Sequence, residues 1–588
     1  MNLKDKYNRK LVFEILNSLD SEFTKDIRSI DYTSNIFNST VYLGELKSVK
    51  VPVIEIEITS NLSKKVTITK EAFNLLKKIS ISDSLIIFFS NINIKEWRLS
   101  LLRTEYEIAN GKVEINRSNP SRYSFLLGEE AKIATPMNFL LNKGKLTDFK
   151  DLVERFSIEV VNKDFYKKIA LLFTKLVGGK RKINRKSVKF QGLLKINNRL
   201  CSALEKQEFS VRLIGRLIFS WFLKQKKSVN DIPLISDEIL STDAIKKSQN
   251  YYSDVLELLF FEVLNLKSND RDYGRISNEF SQVPYLNGGL FDPKNNDFYS
   301  KERKTSLVSI PNEWFEELFD IFEMYNFTVD ENTSYDFDLS IDPEMLGRIF
   351  ENLLAEINPD TGESARKATG SFYTPKVLVD HMVSRSLFLY LRNKTTISSD
   401  KLSIITSSGY GLNENLIMTN EDKVELINAL ISIKVIDPAC GSGAFPIGFL
   451  QKILHIISVT DPDSIFYKFN NSDSYKDLKR DTNDEYQKKL HIIQNSIFGV
   501  DIQPIANEIS KLRCFLSLIV DEIVNDEEEN RGIRTLPNLD FKFVTANSLY
   551  RLEEPDLRNN YQTVSMLPNE DLLISKLREV RDSYFLAE

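Results

Sequence analysis

Apolar and polar positions change their period along this chain. Over residues 1–150, the runs "NSTVYLGEL", "VPVIEIEIT" and "SLIIFFS" are β-branched or aromatic and are separated by turn-like or charged segments, which predicts strands. Between them, "ITKEAFNLLKKI" puts Ala72, Leu75, Leu76 and Ile79 on one side of a helix. From 151 to 367 the helical period dominates, in "DFYKKIALLFTKLV", "VRLIGRLIFSWFLKQKK", "YYSDVLELLFFEVLNL" and "EMLGRIFENLLAEI". From 368 to 588 the two periods alternate: "SIKVIDPA", "NSIFGVDI" and "LDFKFVTANSLY" read as strands, "FPIGFLQKILHIISV" and "IANEISKLRCFLSLIVDEIV" as helices. Alternation of this kind predicts a parallel, doubly wound sheet. The expected fold class is multidomain α/β: a small α/β domain (1–150), a helical connector domain (151–367) and a partial Rossmann-like domain (368–588).

Composition narrows the class without naming a function. The chain has 588 residues, more than one ordinary core holds. Its 42% hydrophobic and 27% charged residues are ordinary for a soluble globular protein. No apolar run reaches membrane-spanning length, and the N-terminus "MNLKDKYNRK" has no signal-peptide core. A cytoplasmic protein without membrane contact is expected. Cys201, Cys440 and Cys514 are scattered, and His381, His455 and His491 show no metal-ligand spacing. The net charge of -5 announces no polyanionic partner, but residues 163–199 carry twelve Lys or Arg against one acid, Asp164. That run could track a phosphate backbone or simply be a solvated connector.

The most informative stretch is "IKVIDPACGSGAFPIGFLQ" (433–451), read as strand, glycine turn and helix. Ligands in open α/β sheets sit beyond the carboxyl ends of the strands. Gly441 and Gly443 let a ligand approach the backbone. The third glycine, Gly448, is misplaced for a dinucleotide loop. Asp437 at the strand end would repel a pyrophosphate. It suits a ligand with an ammonium and a sulfonium, such as S-adenosylmethionine.

At this point the chain resembles the amino-methylating DNA methyltransferases. "DPACGSGAF" is similar to their first motif. "ATGSFYTPKVLVDHMV" (368–383), upstream of it, is similar to their other cofactor motif, an order that matches the gamma arrangement of adenine-specific enzymes. "IFGVDIQPIA" and "VTANSL" resemble the next two motifs. Beyond these, "DPEMLGRIFENLLAEINPDTGESARKATGSFYTP", "YLNGGLFDP" and "SNPSRYSFLLGE" resemble single-chain type IIG restriction-modification enzymes. The resemblance implies that Asp437, Pro438, Gly441 and Gly443 hold the methionine end of the cofactor. Phe372 and Thr374 belong to the other cofactor motif. It further implies that Asp501 binds the ribose, that Ile502 packs on the adenine, and that Asn547 hydrogen-bonds the adenine where many relatives carry Asp. Asp437 and Asp501 are 64 positions apart, against about 20 in a simple nucleotide-binding unit. The polar segment "TDPDSIFYKFNNSDSYKDLKRDTNDEYQKK" reads as an insertion between them.

The family's catalytic motif, [DNS]-P-P-[YFW], accepts the target amine and stacks the flipped base. No two of the 17 prolines here are adjacent. The expectation is a truncated or split enzyme, inactive alone, whose partners are double-stranded DNA and a second polypeptide carrying that motif and target recognition. Type IIG enzymes commonly begin with a Mg²⁺-dependent PD-(D/E)xK nuclease. The nearest pattern is Glu45 and Lys47 in "GELKS", with Asp31 fourteen positions earlier. Its rival is Glu55 and Glu57 in "VIEIEI". Arg117, Arg122 and Tyr123 could touch DNA or belong to a structured loop, and Trp97 and Cys440 read as packed core. Two other readings stay open: a DNA-binding or S-adenosylmethionine-sensing module needing a partner, and a Mg²⁺-dependent endonuclease subunit.

Overall fold

The computed structural model describes residues 2–59, 65–92, 95–104, 106–109, 112–117, 121–183, 186–197, 199–286, 291–328, 336–355, 374–407, 418–462, 464, 467, 484–550 and 576. The chain is mixed α/β. Helix α1 (Arg9–Leu19) starts where the Asn8 side chain accepts from the Lys10 N–H, a local N-cap. Strands β1 (Thr24–Ser29), β2 (Phe37–Leu46) and β3 (Val51–Ile58) run antiparallel in turn. Helix α2 (Lys65–Lys78) then crosses over, and β4 (Ser84–Phe89) pairs parallel to β3. Strands β5 (Glu96–Arg103) and β6 (Ser121–Gly128), with a short edge strand at Asp336–Asp338, complete a seven-stranded sheet.

Period two in β4 explains the layers. Leu85, Ile87 and Phe89 face a cluster containing Val12, Ile15 and Leu16 of α1. Ile86 and Phe88 face Ala72, Leu75 and Leu76 of α2. Both faces are covered, so every residue of β4 is buried and the strand reads as a continuous apolar run. Trp97 is fully buried, as expected. Arg122 is buried in β6 with its guanidinium over the Phe88 ring, so it is a core side chain and not a DNA contact.

In this sheet the nuclease candidates stand apart, which favours the other reading of the N-terminal part, an inactive nuclease-like or other α/β domain. Thr24 lies opposite Glu45 at one end of β2, and the Ile30 N–H bonds the Thr40 carbonyl toward the other. Asp31 and Glu45 therefore flank opposite ends of the β1–β2 pair, roughly 17–20 Å apart at strand rise. Lys47 falls in the exposed turn after β2 and does not share a strand face with Glu45. The rival Glu55 is buried and accepts from Tyr7 Oη and, at 2.9 Å, from Arg9 Nε. No metal-holding cluster of His, Cys, Asp and Glu occurs among the described residues.

The next part is helical, as predicted. Helices α3 (Ile158–Val177), α4 (Ala203–Gln225), α5 (Asn312–Met324) and α6 (Pro343–Ala355) form its frame. Ser202 and Glu205 cap α4 reciprocally. Trp221 of α4 packs on Phe319 and Phe322 of α5 at 5.3 and 5.1 Å between ring centroids. The run "YYSDVLELLFFEVLNL" is helical, but Tyr252–Leu256 and Leu258–Val263 take wider π turns. A second difference lies in the basic run. Instead of a plain connector, it folds into a two-stranded antiparallel ribbon, β7 (Gly179–Ile183) and β8 (Lys186–Phe190).

The C-terminal part holds α7 (Lys376–Lys394), β9 (Val435–Asp437), α8 (Ala444–Thr460), α9 (Asp484–Asn495), β10 (Ile497–Asp501), α10 (Pro504–Ile519) and β11 (Phe543–Thr545). The three strands are parallel, in the order β9-β10-β11, as the alternating pattern predicts. One cluster of buried side chains runs from Val161 to Phe543, so the helical frame and this sheet share a core. No described helix is long and apolar enough to cross a membrane.

Candidate functional site

Three parallel strands end on one edge, and the side chains singled out from sequence gather there. Strand β9 ends at Asp437 and β10 at Asp501. The loop after β9 turns sharply because Gly441 (φ +53) and Gly443 (φ +83) take left-handed backbone, which costs glycine little. At Gly443 a Cβ would lie 2.9 Å from Ser510 Oγ, so α10 fills that space. Gly448 serves helix packing, since a Cβ there would meet Val379 at 2.6 Å. It lets α7 press onto α8, and its spacing reflects that contact rather than ligand binding.

Asp501 holds the loop. Its two carboxylate oxygens accept from the Gly441 N–H at 2.9 Å and the Gln503 N–H at 2.8 Å. Asp437 accepts from the Ala439 N–H at 3.1 Å through one oxygen. Its other oxygen is buried and has no hydrogen-bond partner among the described residues. Burial pushes the Asp437 carboxyl above its ordinary range against the Ala439 bond, and the nearby Asp501 charge adds to the rise. A buried acceptor left open is costly, and beside it lies a glycine turn that admits close approach. A cationic ligand with N–H donors fits this arrangement chemically; a pyrophosphate does not.

The remaining sequence-predicted positions vary. Pro438 is exposed, with its carbonyl accepting from Ser548 Oγ at 2.6 Å. Ile502 is 59% exposed just past β10. Asn547 is exposed past β11, with its side-chain oxygen accepting from the Leu549 N–H. The structure thus brings Asp437, Pro438, Gly441, Gly443, Asp501, Ile502 and Asn547 to one edge. Thr374 is half-buried two residues before α7, and Phe372 lies outside the described residues. So do most of "ATGSFYTP" and most of the polar insertion before α9. Cys440 is buried with its Sγ 3.5 Å from Asn507 Oδ1, and burial pushes its thiol up to about 12. It is a packed residue, as expected.

Residues 236–312 match a family described as a domain of unknown function, DUF7814. That match covers the stretch between α4 and the start of α5, including the π turns. A protein of Methanocaldococcus jannaschii, carrying the provisional name type II restriction enzyme and methyltransferase, is 31% identical over 416 residues. The match takes in 66% of this chain and 32% of the relative. This chain spans about a third of that relative's length. Among solved structures, the DrdV–DNA complex aligns with 89% of this chain and 36% of its own at 11% identity and a TM-score of 0.24.

Four side chains at the loop escaped the sequence reading. Glu351 of α6 accepts from Ser442 Oγ at 2.6 Å and from the Ser442 N–H at 3.3 Å. Its other oxygen is buried without a partner among the described residues. Burial pushes the Glu351 carboxyl upward despite the Ser442 bonds. From α10, Ser510 donates to the Gly441 carbonyl at 3.0 Å and Arg513 to the Ser442 carbonyl at 3.0 Å. Asn507 bonds Thr545 Oγ1 at 3.0 Å, joining the loop to β11. A signal existed for the last three: 507, 510 and 513 fall three apart, a polar stripe that lies on the buried side of the helix. Glu351 had a weaker one, a lone acid among the buried residues Ile349, Phe350 and Leu353.

Proposed function

We propose that this chain carries the S-adenosylmethionine site of an adenine-specific DNA methyltransferase from a restriction-modification system. The observation carrying the proposal is the open, buried oxygen of Asp437 beside the Gly441–Gly443 turn, at the carboxyl end of a parallel sheet. The motif order and the 31% identity to the archaeal relative support the same reading. In it, Asp437, Pro438, Gly441 and Gly443 take the methionine end, with Phe372 and Thr374 as the other wall. Asp501 takes the ribose through its remaining lone pairs, Ile502 covers one adenine face, and Asn547 bonds the adenine edge. The cofactor, when bound, supplies the methyl group. The chain's own residues bind and orient it: Glu351, Asp501, Ser510 and Arg513 fix the turn before a ligand arrives, which lowers the ordering cost of binding.

In this proposal the target amine is accepted elsewhere. The [DNS]-P-P-[YFW] motif does not occur in these 588 residues, so another segment or a second polypeptide provides it, together with target recognition on double-stranded DNA. We assign no phosphodiester cleavage, with or without Mg²⁺, to the N-terminal sheet. Asp31, Glu45 and Lys47 do not converge, and Glu55 is already committed to Arg9 and Tyr7.

Titration calorimetry of the folded chain with S-adenosylmethionine tests the reading. Saturable binding that weakens in Asp437→Asn is expected. Well-folded protein that gives no binding heat overturns the assignment of the site.

A further inference from the structure

The basic run of residues 163–199 is partly paired in the structure and partly not. Four of those on or beside helices are matched: Lys163 by Glu159, Lys168 by Asp164, Lys175 by Glu317 and Arg199 by Glu205; Lys167, on the same helix as the first three, is exposed without such a partner among the described residues. Those on the ribbon differ. Arg181 turns back to Thr174 Oγ1 at 2.9 Å. The side chains of Lys180, Lys182 and Lys189 are exposed and have no ion-pair or hydrogen-bond partner among the described residues.

Register decides where these lysines point. Lys180 lies directly opposite Lys189, and Lys182 opposite Ser187. Directly opposed residues share a face of an antiparallel pair, and so do residues two apart on one strand. One face of the ribbon is therefore Lys180, Lys182, Lys189 and Ser187. Arg181, Ile183, Val188 and Phe190, together with Lys186, take the other. Opposed like charges destabilise a strand pair, and no acid among the described residues forms an ion pair with either lysine here. The ribbon is nonetheless firmly rooted. Gly192 passes so close to the end of α3 that a Cβ would lie 2.7 Å from the Val177 carbonyl. The N–H groups of Leu193 and Leu194 then bond the carbonyls of Lys175 and Leu176 at 3.0 and 2.9 Å.

We propose that this lysine face is a contact surface for the phosphate backbone of duplex DNA. A polyanion with closely spaced charges removes the Lys180–Lys189 repulsion and matches three unpaired ammonium groups at once. A two-stranded ribbon also has the width that a major groove of about 12 Å admits. The choice of DNA as the polyanion rests on the function proposed above; the lysine face itself does not. It adds a backbone-positioning contact remote in sequence from the cofactor edge, without base readout.

The test uses the full chain and a short duplex of arbitrary sequence in a fluorescence-anisotropy salt series. The variant is Lys180→Gln with Lys182→Gln and Lys189→Gln. The control is Lys246→Gln with Lys247→Gln, two lysines at the end of the helix Thr242–Lys247. Loss of three phosphate contacts should make the log–log salt slope shallower by about 2–3, with the control close to wild type. A triple variant with wild-type affinity and slope overturns the proposal, as does a control that loses as much, or wild-type protein that binds no duplex. Ribbon-dependent sedimentation with phosphatidylserine vesicles, with DNA binding unchanged, would reassign the face to lipid and also overturn it. Calorimetry with S-adenosylmethionine separates the two readings. Ribbon-dependent DNA binding without cofactor binding sinks the methyltransferase site alone, and cofactor binding without ribbon-dependent DNA binding sinks the ribbon alone.

Discussion

Glu351→Ala probes how the cofactor turn is held. The substitution removes the acceptor of two bonds from Ser442, at 2.6 and 3.3 Å, and leaves that hydroxyl and N–H facing an apolar gap. Hydrogen bonds to a charged partner are worth about 1.5–3 kcal/mol each. Relief works the other way, because a buried carboxylate with one open oxygen is itself unfavourable. The net loss expected for Glu351→Ala is about 2–4 kcal/mol, read as a melting temperature lower by several degrees. Glu351→Gln keeps an acceptor for Ser442 and discards the buried charge, so its stability should stay within about 1 kcal/mol of wild type. The ligand readout is sharper. If Glu351 sets the turn, Glu351→Ala should weaken S-adenosylmethionine binding by about tenfold or more, equivalent to about 1.4 kcal/mol, and Glu351→Gln much less. An alanine variant that melts and binds as wild type refutes the reasoning that α6 fixes the turn.

Further outcomes follow from single sites. Gly443→Ala must hold φ +83 and place a Cβ 2.9 Å from Ser510 Oγ; the backbone cost alone is about 1–2 kcal/mol, and calorimetry should show cofactor binding lost. Gly144→Ala, at φ +80 with open space around it, should cost stability and leave binding intact. Asp297 is fully buried and pairs with Arg212 at 3.1 Å and Arg216 at 3.0 Å; Asp297→Ala should destabilise by about 3–5 kcal/mol, and a urea midpoint equal to wild type would count against that. Burial pushes the Glu257 carboxyl up to about 7. Its neutral form is favoured in the fold, so its contribution is fully present below the ordinary carboxylate range and is lost as pH rises through 7. Between about pH 5 and 8 this removes about 3 kcal/mol of stability. Glu257→Gln should flatten that pH dependence of the urea midpoint, and an unchanged slope would refute the assignment.

The sequence by itself determined the elements whose cause is local. The unbroken apolar run of β4, the glycine turn at 441 and 443 and the parallel strand–helix alternation depend on period and backbone freedom, which neighbouring residues carry. It also marked Asp437, as the acid that closes an apolar strand before a glycine turn; Asp501 and Asn547 were marked by their resemblance to methyltransferase motifs. Tertiary structure decided the rest, because the deciding partners lie far apart in the chain. Glu351 reaches Ser442 across 91 positions, and Arg122 lies buried with its guanidinium over the Phe88 ring. Charge identity gave no warning that Asp31 and Glu45 would stand at opposite ends of a strand pair; the register of β1 on β2 fixes that. The same holds for the lysines: a one-residue change of register between β7 and β8 would move Lys189 off the face of Lys180 and Lys182, because strand side chains alternate with period two.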